Sequence, residues 1–373
     1  MISDIYHMNP KLTIVTLCIL LLSSCSKDDS PSADPSNPPV VVDFLDISSL
    51  NINFTSEKDA SLIVVETDGI WNATTTNDWI TLSINSGNKS TGFIVGASAN
   101  KKFKREGKIT ITSGDKTKDI KIIQAGLSKI ELHINGVTFK LLPVEADTSF
   151  YLDGMTYLAT RDVYLDSYYI SETEITNAQW LAVVGALPYN DENSMPQLPV
   201  IANWKEINEN FIAKINKLTD YQLRLPTENE WEVAARGGKK SKNTGYAGSI
   251  YIDSVAWYWQ NSVSGKQTPA LKKPNELGLY DMSGNVSEWC FDWYAEWTDE
   301  NRPDAKSTNP KGPATGTDRV IRGGDFKANH YEYDQNSCNI SSRNHLPPDI
   351  STDNFLYNGY ENYTGFRLVI PKN

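Results

Sequence analysis

The segment Gly278–Trp293, G-L-Y-D-M-S-G-N-V-S-E-W-C-F-D-W, constrains this chain more than any other stretch. Its Gly284-Asn285 pair is a turn in which left-handed backbone torsions are tolerated, so that neighbouring carbonyls can point inward. Asp281 and Glu288 stand seven residues apart at the two ends of that loop. Together with Gly284 and Val286 they offer the oxygen donors that a hard cation such as Ca²⁺ takes. The same residues also read as a glycine turn running into an amphipathic strand with Glu288 in solvent. Residue types alone favour the second reading, because carboxylates beside turns are common.

The chain has 373 residues, enough for two domains with their own cores and a tail. Its balance is acidic, 46 Asp+Glu against 35 Lys+Arg, and no basic stretch is present that would displace counterions from a nucleic acid. Nucleic acid is therefore excluded as a partner. Lys11 precedes an apolar run, Leu12–Leu22, which is too short to span a bilayer as a helix and reads as a targeting segment. The run ends in L-S-S-C, which resembles the lipobox of bacterial lipoproteins. That resemblance implies a signal peptide over residues 1–24, a lipid on Cys25 and attachment to a membrane through it. The following S-K-D-D resembles the signal that sends some lipoproteins to the outer face of the outer membrane, so a surface-exposed outer-membrane lipoprotein is expected. Residues 25–44 are mostly Ser, Asp and Pro and read as a flexible tether.

Between Ile47 and Ala125 apolar and polar residues alternate with a period of two, as in Trp79-Ile80-Thr81-Leu82-Ser83-Ile84 and Lys108-Ile109-Thr110-Ile111. Thr67-Asp68-Gly69, Ser86-Gly87-Asn88 and Ser113-Gly114-Asp115 read as the turns between strands. Many short strands with no helical period predict an immunoglobulin-like β-sandwich over residues 45–127. W-N-A-T-T-T-N-D-W-I-T-L (Trp71–Leu82), R-E-G-K-I-T-I (Arg105–Ile111) and I-I-Q-A-G (Ile122–Gly126) resemble the BACON module of glycan-handling proteins. That module implies carbohydrate binding or a spacer role. Trp71 and Trp79 are read as core residues.

From Ile130 the pattern changes. Ile134-Asn135-Gly136-Val137 and Phe139–Leu142 read as strands, and Thr176 as the cap of a helix ending at Gly185. Asn203 caps a second helix with Trp204, Ile207, Phe211, Ile212, Ile215 and Leu218 at helical spacing. Thr227 and Glu230 form a capping box for a third, which Gly237-Gly238 terminates. Trp231, Ala234 and Ala235 face the core there, with Glu232 and Arg236 as polar neighbours. The remaining loops, rich in Gly, Asn, Asp and Pro, need pins.

Four phrases then fall in one order: R-L-P-T-E-N-E-W-E-V-A-A-R-G-G (Arg224–Gly238), the Gly278–Trp293 segment, R-V-I-R-G-G-D-F (Arg319–Phe326) and G-F-R-L-V (Gly365–Val369). Together they resemble the formylglycine-generating enzyme, or sulfatase-modifying factor, family. The resemblance implies an α+β domain of C-type-lectin-like fold over residues 128–373, and a structural calcium site on Asp281, Gly284, Val286 and Glu288.

The family's enzyme binds copper(I) through two cysteines five residues apart, a soft-ligand site for which thiolates are suited. Cys338 matches the second of the pair, but Tyr333 stands where the first belongs, and a phenol does not replace a thiolate for copper(I). The expectation is therefore a non-catalytic domain without copper, which recognises a glycan, glycoprotein or protein partner. Asn329, Tyr331, Tyr333, Arg343 and His345 are its candidate ligand-binding residues. A formylglycine-generating oxidase using Cys338, and a structural component of a cell-surface assembly, are the alternatives. Cys290 and Cys338 are expected to form a disulfide in an oxidising compartment. The four histidines are scattered and none pairs at zinc spacing.

Overall fold

A computed structural model describes residues 44–152, 161–189, 194–262, 264–297, 307–328, 337–351, 356–357, 360–361 and 363–372. The predicted signal peptide, Cys25 with its expected lipid and all but the last residue of the tether lie outside these. No helix among the described residues is long and apolar enough to cross a membrane.

The first part is a sandwich of two sheets. Strands β1 (Leu45–Ile47), β3 (Asp59–Thr67), β7 (Thr91–Ala97) and β5 (Ile80–Leu82) form one, in the order β1-β3-β7-β5. Strands β2 (Asn51–Phe54), β9 (Lys116–Gln124), β8 (Arg105–Ser113), β4 (Ile70–Thr74) and β6 (Ser86–Asn88) form the other, in the order β2-β9-β8-β4-β6. The period of two sends Ile63, Val65, Phe93, Val95, Ile109, Ile111, Ile120 and Ile122 inward from both sheets. Trp71, on β4, is fully buried among them, and Trp79, in the turn just before β5, nearly so. Ser86-Gly87-Asn88 is not a turn, as expected, but strand β6 paired with β4. A side chain at Gly87 would strike the Trp71 ring at 2.6 Å, so this edge strand closes over the tryptophan.

The sandwich is joined closely to the C-terminal domain. The Tyr169 hydroxyl donates to the carbonyls of Leu127 (2.8 Å) and Lys102 (3.1 Å), and its ring lies 4.6 Å from that of Phe103.

That domain opens with β10 (Ile130–Ile134) and β11 (Val137–Val144). Asn135 and Gly136, expected inside a strand, are the hairpin turn between them, both at positive φ (47° and 81°). Next come β12 (Thr148–Leu152), β13 (Arg161–Leu165) and β14 (Tyr168–Ser171). The sheet order β10-β11-β14 is completed by the C-terminal strand Val369–Pro371. Strand β14 is buried on both faces: Tyr169 joins one core and Tyr168 the other. The first core holds α1 (Asn177–Val184) and a longer helical stretch made of α2 (Trp204–Glu206), a π-wound segment (Ile207–Ile212) and α3 (Ala213–Leu218). At its centre Trp180 stacks on Phe211 and Phe366 meets Phe211 edge-on, each pair with centroids 5.2 Å apart. Thr176 and Asn203 cap these helices as expected, each through a capping box. Leu218, expected at the core, is exposed.

The second core packs α4 (Glu228–Ala235) against β15 (Ser287–Trp293) and β16 (Arg319–Arg322). These strands continue through β17 (Asn344–Leu346) in the order β17-β16-β15, with Thr364–Gly365 added parallel to β15.

Candidate functional site

Helix α4 carries the polar centre of this domain. Thr227 caps it and Glu230 closes the box, as the sequence predicts. Its remaining polar residues are not a solvated face, however. Glu228, Asn229 and Glu232 are buried, and each accepts from an arginine brought in from another element. Glu232 binds Arg161 from β13 at 2.6 Å, Arg236 at 2.7 Å, and Arg322 from β16. Glu228 binds Arg343 in a forked pair at 2.5 and 2.9 Å, with Arg322 Nε at 3.6 Å. Burial would raise the Glu232 carboxyl, but Arg161, Arg322 and Arg236 hold it down at about 2. These arginines explain why the R-V-I-R phrase and the helix phrase sit together: the second arginine of one neutralises two glutamates of the other.

A second buried pair lies behind it. Arg367 and Glu288 are both fully buried and meet in a fork, Nε–Oε2 and Nη2–Oε1 each at 2.6 Å. The Trp231 indole donates to Oε2 as well, at 2.6 Å. The loop ahead of Glu288 is tightly wound: Asp281, Gly284 and Asn285 all take positive φ. A side chain at Gly284 would lie 2.3 Å from the Trp257 carbonyl, so glycine is required there. Asp281 Oδ2 accepts the Ala270 amide at 2.7 Å, and Oδ1 is buried with no protein partner. Burial lifts the Asp281 carboxyl to about 6. Glu174 accepts from the Asn285 side chain (2.7 Å) and the Val286 amide (3.0 Å), and burial, with Asp281 and Glu288 nearby, raises its pKa strongly.

Of the four positions expected to hold calcium, Glu288 is the one that does not fit the cage. Asp281 offers a bare oxygen, but both Glu288 oxygens are taken by a guanidinium and an indole. A cation placed on Glu288 would confront Arg367. The Arg367 guanidinium supplies the positive charge that the ion would have brought to Glu288.

The cysteines also depart from expectation. Both are buried thiols rather than a bridge: Cys290 packs with Trp231, Met282 and Val320, and Cys338 in a separate cluster with Ala256, Tyr258 and Ala328. Burial, with Glu228 beside it, pushes the Cys290 thiol far above its usual range. A side chain at Gly324 would meet the Ser337–Cys338 backbone at 2.8–2.9 Å, so the Gly-Gly of R-V-I-R-G-G is what admits Cys338 so close to β16.

Of the candidate ligand-binding residues, Asn329, Tyr331 and Tyr333 lie outside the described residues. Arg343 is committed to Glu228, and its guanidinium lies 4.9 Å from the Tyr294 ring and 4.7 Å from that of Trp297. His345 stacks on Tyr294 at 4.1 Å and meets Asp318 at 2.5 Å, with 43% of its side chain exposed. Arg343 thus braces loops, while His345 keeps an open edge. The polar network on α4 was missed in the sequence, although Arg161, Arg322 and Arg343 gave a signal: too many arginines in apolar surroundings for a solvated surface.

Comparison with known proteins agrees with this geometry. The model of the sulfatase-modifying factor enzyme 1-like domain matches residues 138–371, and the BACON model matches residues 69–125. The chain belongs to the sulfatase-modifying factor family. It is 35% identical over 184 residues to the chaperone protein LppX of Paenibacillus barcinonensis, covering 36% of this chain and 65% of that one. It is 32% identical over 223 residues to the formylglycine-generating enzyme of Thermomonospora curvata, covering 51% of this chain and 63% of that one. The chain thus spans slightly less than two thirds of these curated relatives. Among solved structures, Treponema denticola variable protein 1 superposes with a TM-score of 0.52 at 26% identity, over 66% of this chain and 99% of that one. A mostly β, multidomain chain ending in this family's fold is what the sequence motifs implied.

Proposed function

We propose that this chain is a surface-anchored recognition protein whose C-terminal domain has the family fold without the family oxidation. One observation carries the reading: the single thiol at the family's redox position, Cys338, is sealed in an apolar cluster at 0% exposure, and Tyr333 stands five residues before it. Copper(I) held by two thiolates does not fit one buried sulfur and a phenol. Arg343, a candidate ligand contact, is neutralised by the buried Glu228. The sandwich supports a spacer role. Its tryptophans are internal, and its contact to Tyr169 holds it against the next domain. The partner is a glycan, a glycoprotein or another surface protein, and Cys25 is the point of membrane attachment.

Two of the names among the relatives, a chaperone and a formylglycine-generating enzyme, mark the competing roles. The test is incubation of the purified full chain with a cysteine-bearing sulfatase peptide, copper and oxygen, alongside capture of partners from envelope extracts. No aldehyde together with specific capture supports the recognition role. Aldehyde formation that depends on Cys338 rejects it.

A further inference from the structure

Among the described residues four arginines of the C-terminal domain are buried, and three of them are ion-paired: Arg161 and Arg322 with Glu232, Arg367 with Glu288. Arg319, on β16 and 8% exposed, is the exception. Among the described residues no carboxylate pairs with it. Its guanidinium lies between two indoles instead, 3.8 Å from the ring centroid of Trp204 and 3.4 Å from that of Trp293. Nη1 donates to the Phe291 carbonyl at 2.6 Å, and Nε is buried with no acceptor. Asp292, the nearest acid, already accepts the amides of Glu228 and Gly312. Burial lowers the Arg319 pKa to about 10, and the Asp292 charge offsets this only in part.

A guanidinium stacked on both faces is fixed in plane, and only its N–H edge is left to read an acceptor. Lys311 is exposed, with Nζ 5.2 Å from the ring centroid of Phe291, the ring that the Arg319 guanidinium also approaches at 5.9 Å, and has no carboxylate partner among the described residues. Trp204, Phe291 and Trp293 stay partly exposed around these two cations, Trp204 and Phe291 with centroids 6.5 Å apart. On a chain with a formal charge of -11, two unneutralised cations framed by three rings form a local anion-recognising patch.

The geometry points to a binding site for an acidic sugar, its carboxylate or sulfate on the Arg319 edge and toward Lys311, its ring against the open parts of Trp204, Phe291 and Trp293. An acidic peptide side chain would use the cations and leave the rings idle. A pyranose has a flat C–H face to lay on them. The inference rests on reading the domain as a recognition module and names its ligand class.

Isothermal titration of the full chain with a galacturonate oligosaccharide and a chondroitin sulfate oligosaccharide tests it, with a neutral cello-oligosaccharide and poly-glutamate as controls. At least one acidic sugar binds, more weakly at higher salt, and which one binds tells a carboxylate from a sulfate ligand. Arg319→Gln weakens binding about tenfold or more. Lys311→Gln, on the surface and clear of the core, weakens it by about threefold. Binding of neither acidic sugar, equal binding of poly-glutamate, or affinities unchanged in both variants would overturn the site. Envelope-partner capture that survives Arg319→Gln also overturns it while leaving the recognition role standing, whereas aldehyde formation from the sulfatase peptide defeats that role itself.

Discussion

Replacing Arg367 by Met should be among the most damaging single changes in the C-terminal domain, and the reason is charge rather than volume. The guanidinium is fully buried and makes two 2.6 Å contacts to Glu288. It also donates to the carbonyls of Ser171 and Tyr280, each at 3.0 Å. Without it, Glu288, Glu174 and Asp281 would share one buried region with no cation among them. Removing one partner of a buried pair costs about 3–5 kcal/mol, because the survivor is left uncompensated. For a domain of this size each kcal/mol moves the melting temperature by about 2–4 °C, which gives a loss of roughly 6–20 °C. The double variant Arg367→Met, Glu288→Gln should recover much of that loss, since it removes both charges together. Thermal melts of the wild type and both variants, each with and without EDTA, are the assay. Because Arg367 occupies Glu288, the chelator should leave the wild-type melt unchanged. A melt of the Met variant within about 2 °C of wild type, or a wild-type melt lowered several degrees by EDTA, would refute the argument.

Other consequences are simpler to check. Glu232 sits at about 2, below its value in an unfolded chain, so its contribution is present above roughly pH 4.5 and is lost as pH falls through 2; Glu232→Gln should flatten urea-denaturation stability across that window and cost about 3–5 kcal/mol at neutral pH. Alkylation before and after unfolding, read by peptide mapping, should label Cys290 and Cys338 only in denaturant and yield no linked peptide. Tyr169→Phe strips the hydroxyl from the Leu127 and Lys102 carbonyls, and should cost about 1–2 kcal/mol and speed proteolysis between the sandwich and β10.

The sequence carried local structure well where one residue type answers one local demand. The capping boxes at Thr176, Asn203 and Thr227 appear as their spacing requires, and the period of two sorted the sandwich core from its surface. It failed where a pattern has two physical solutions. Asn135-Gly136 between apolar residues reads as strand until both torsions turn positive and a hairpin forms. Glu232 and Arg236, four apart on a helix, read as a solvated pair, and nothing local reveals that Arg161 and Arg322 will close over them from 71 and 90 residues away. Burial of charge is a property of the assembled fold.

The loop at Asp281 shows why the same residues support a calcium cage in sequence and an ion pair in space. A cage and a guanidinium ask for the same carboxylate, and spacing alone cannot say which cation arrives. The deciding residue lies far along the chain, in G-F-R-L-V, where Arg367 is carried toward Glu288 by pairing beside Gly365. Gly365 is itself required there, since a side chain would lie 2.7 Å from the Val200 carbonyl. The glycine brings the strand close, the strand brings the arginine, and the arginine neutralises the glutamate. Gly365→Ala should therefore weaken the Glu288 pair without touching either charged residue, lowering the melt in the same direction as Arg367→Met and with the same indifference to EDTA.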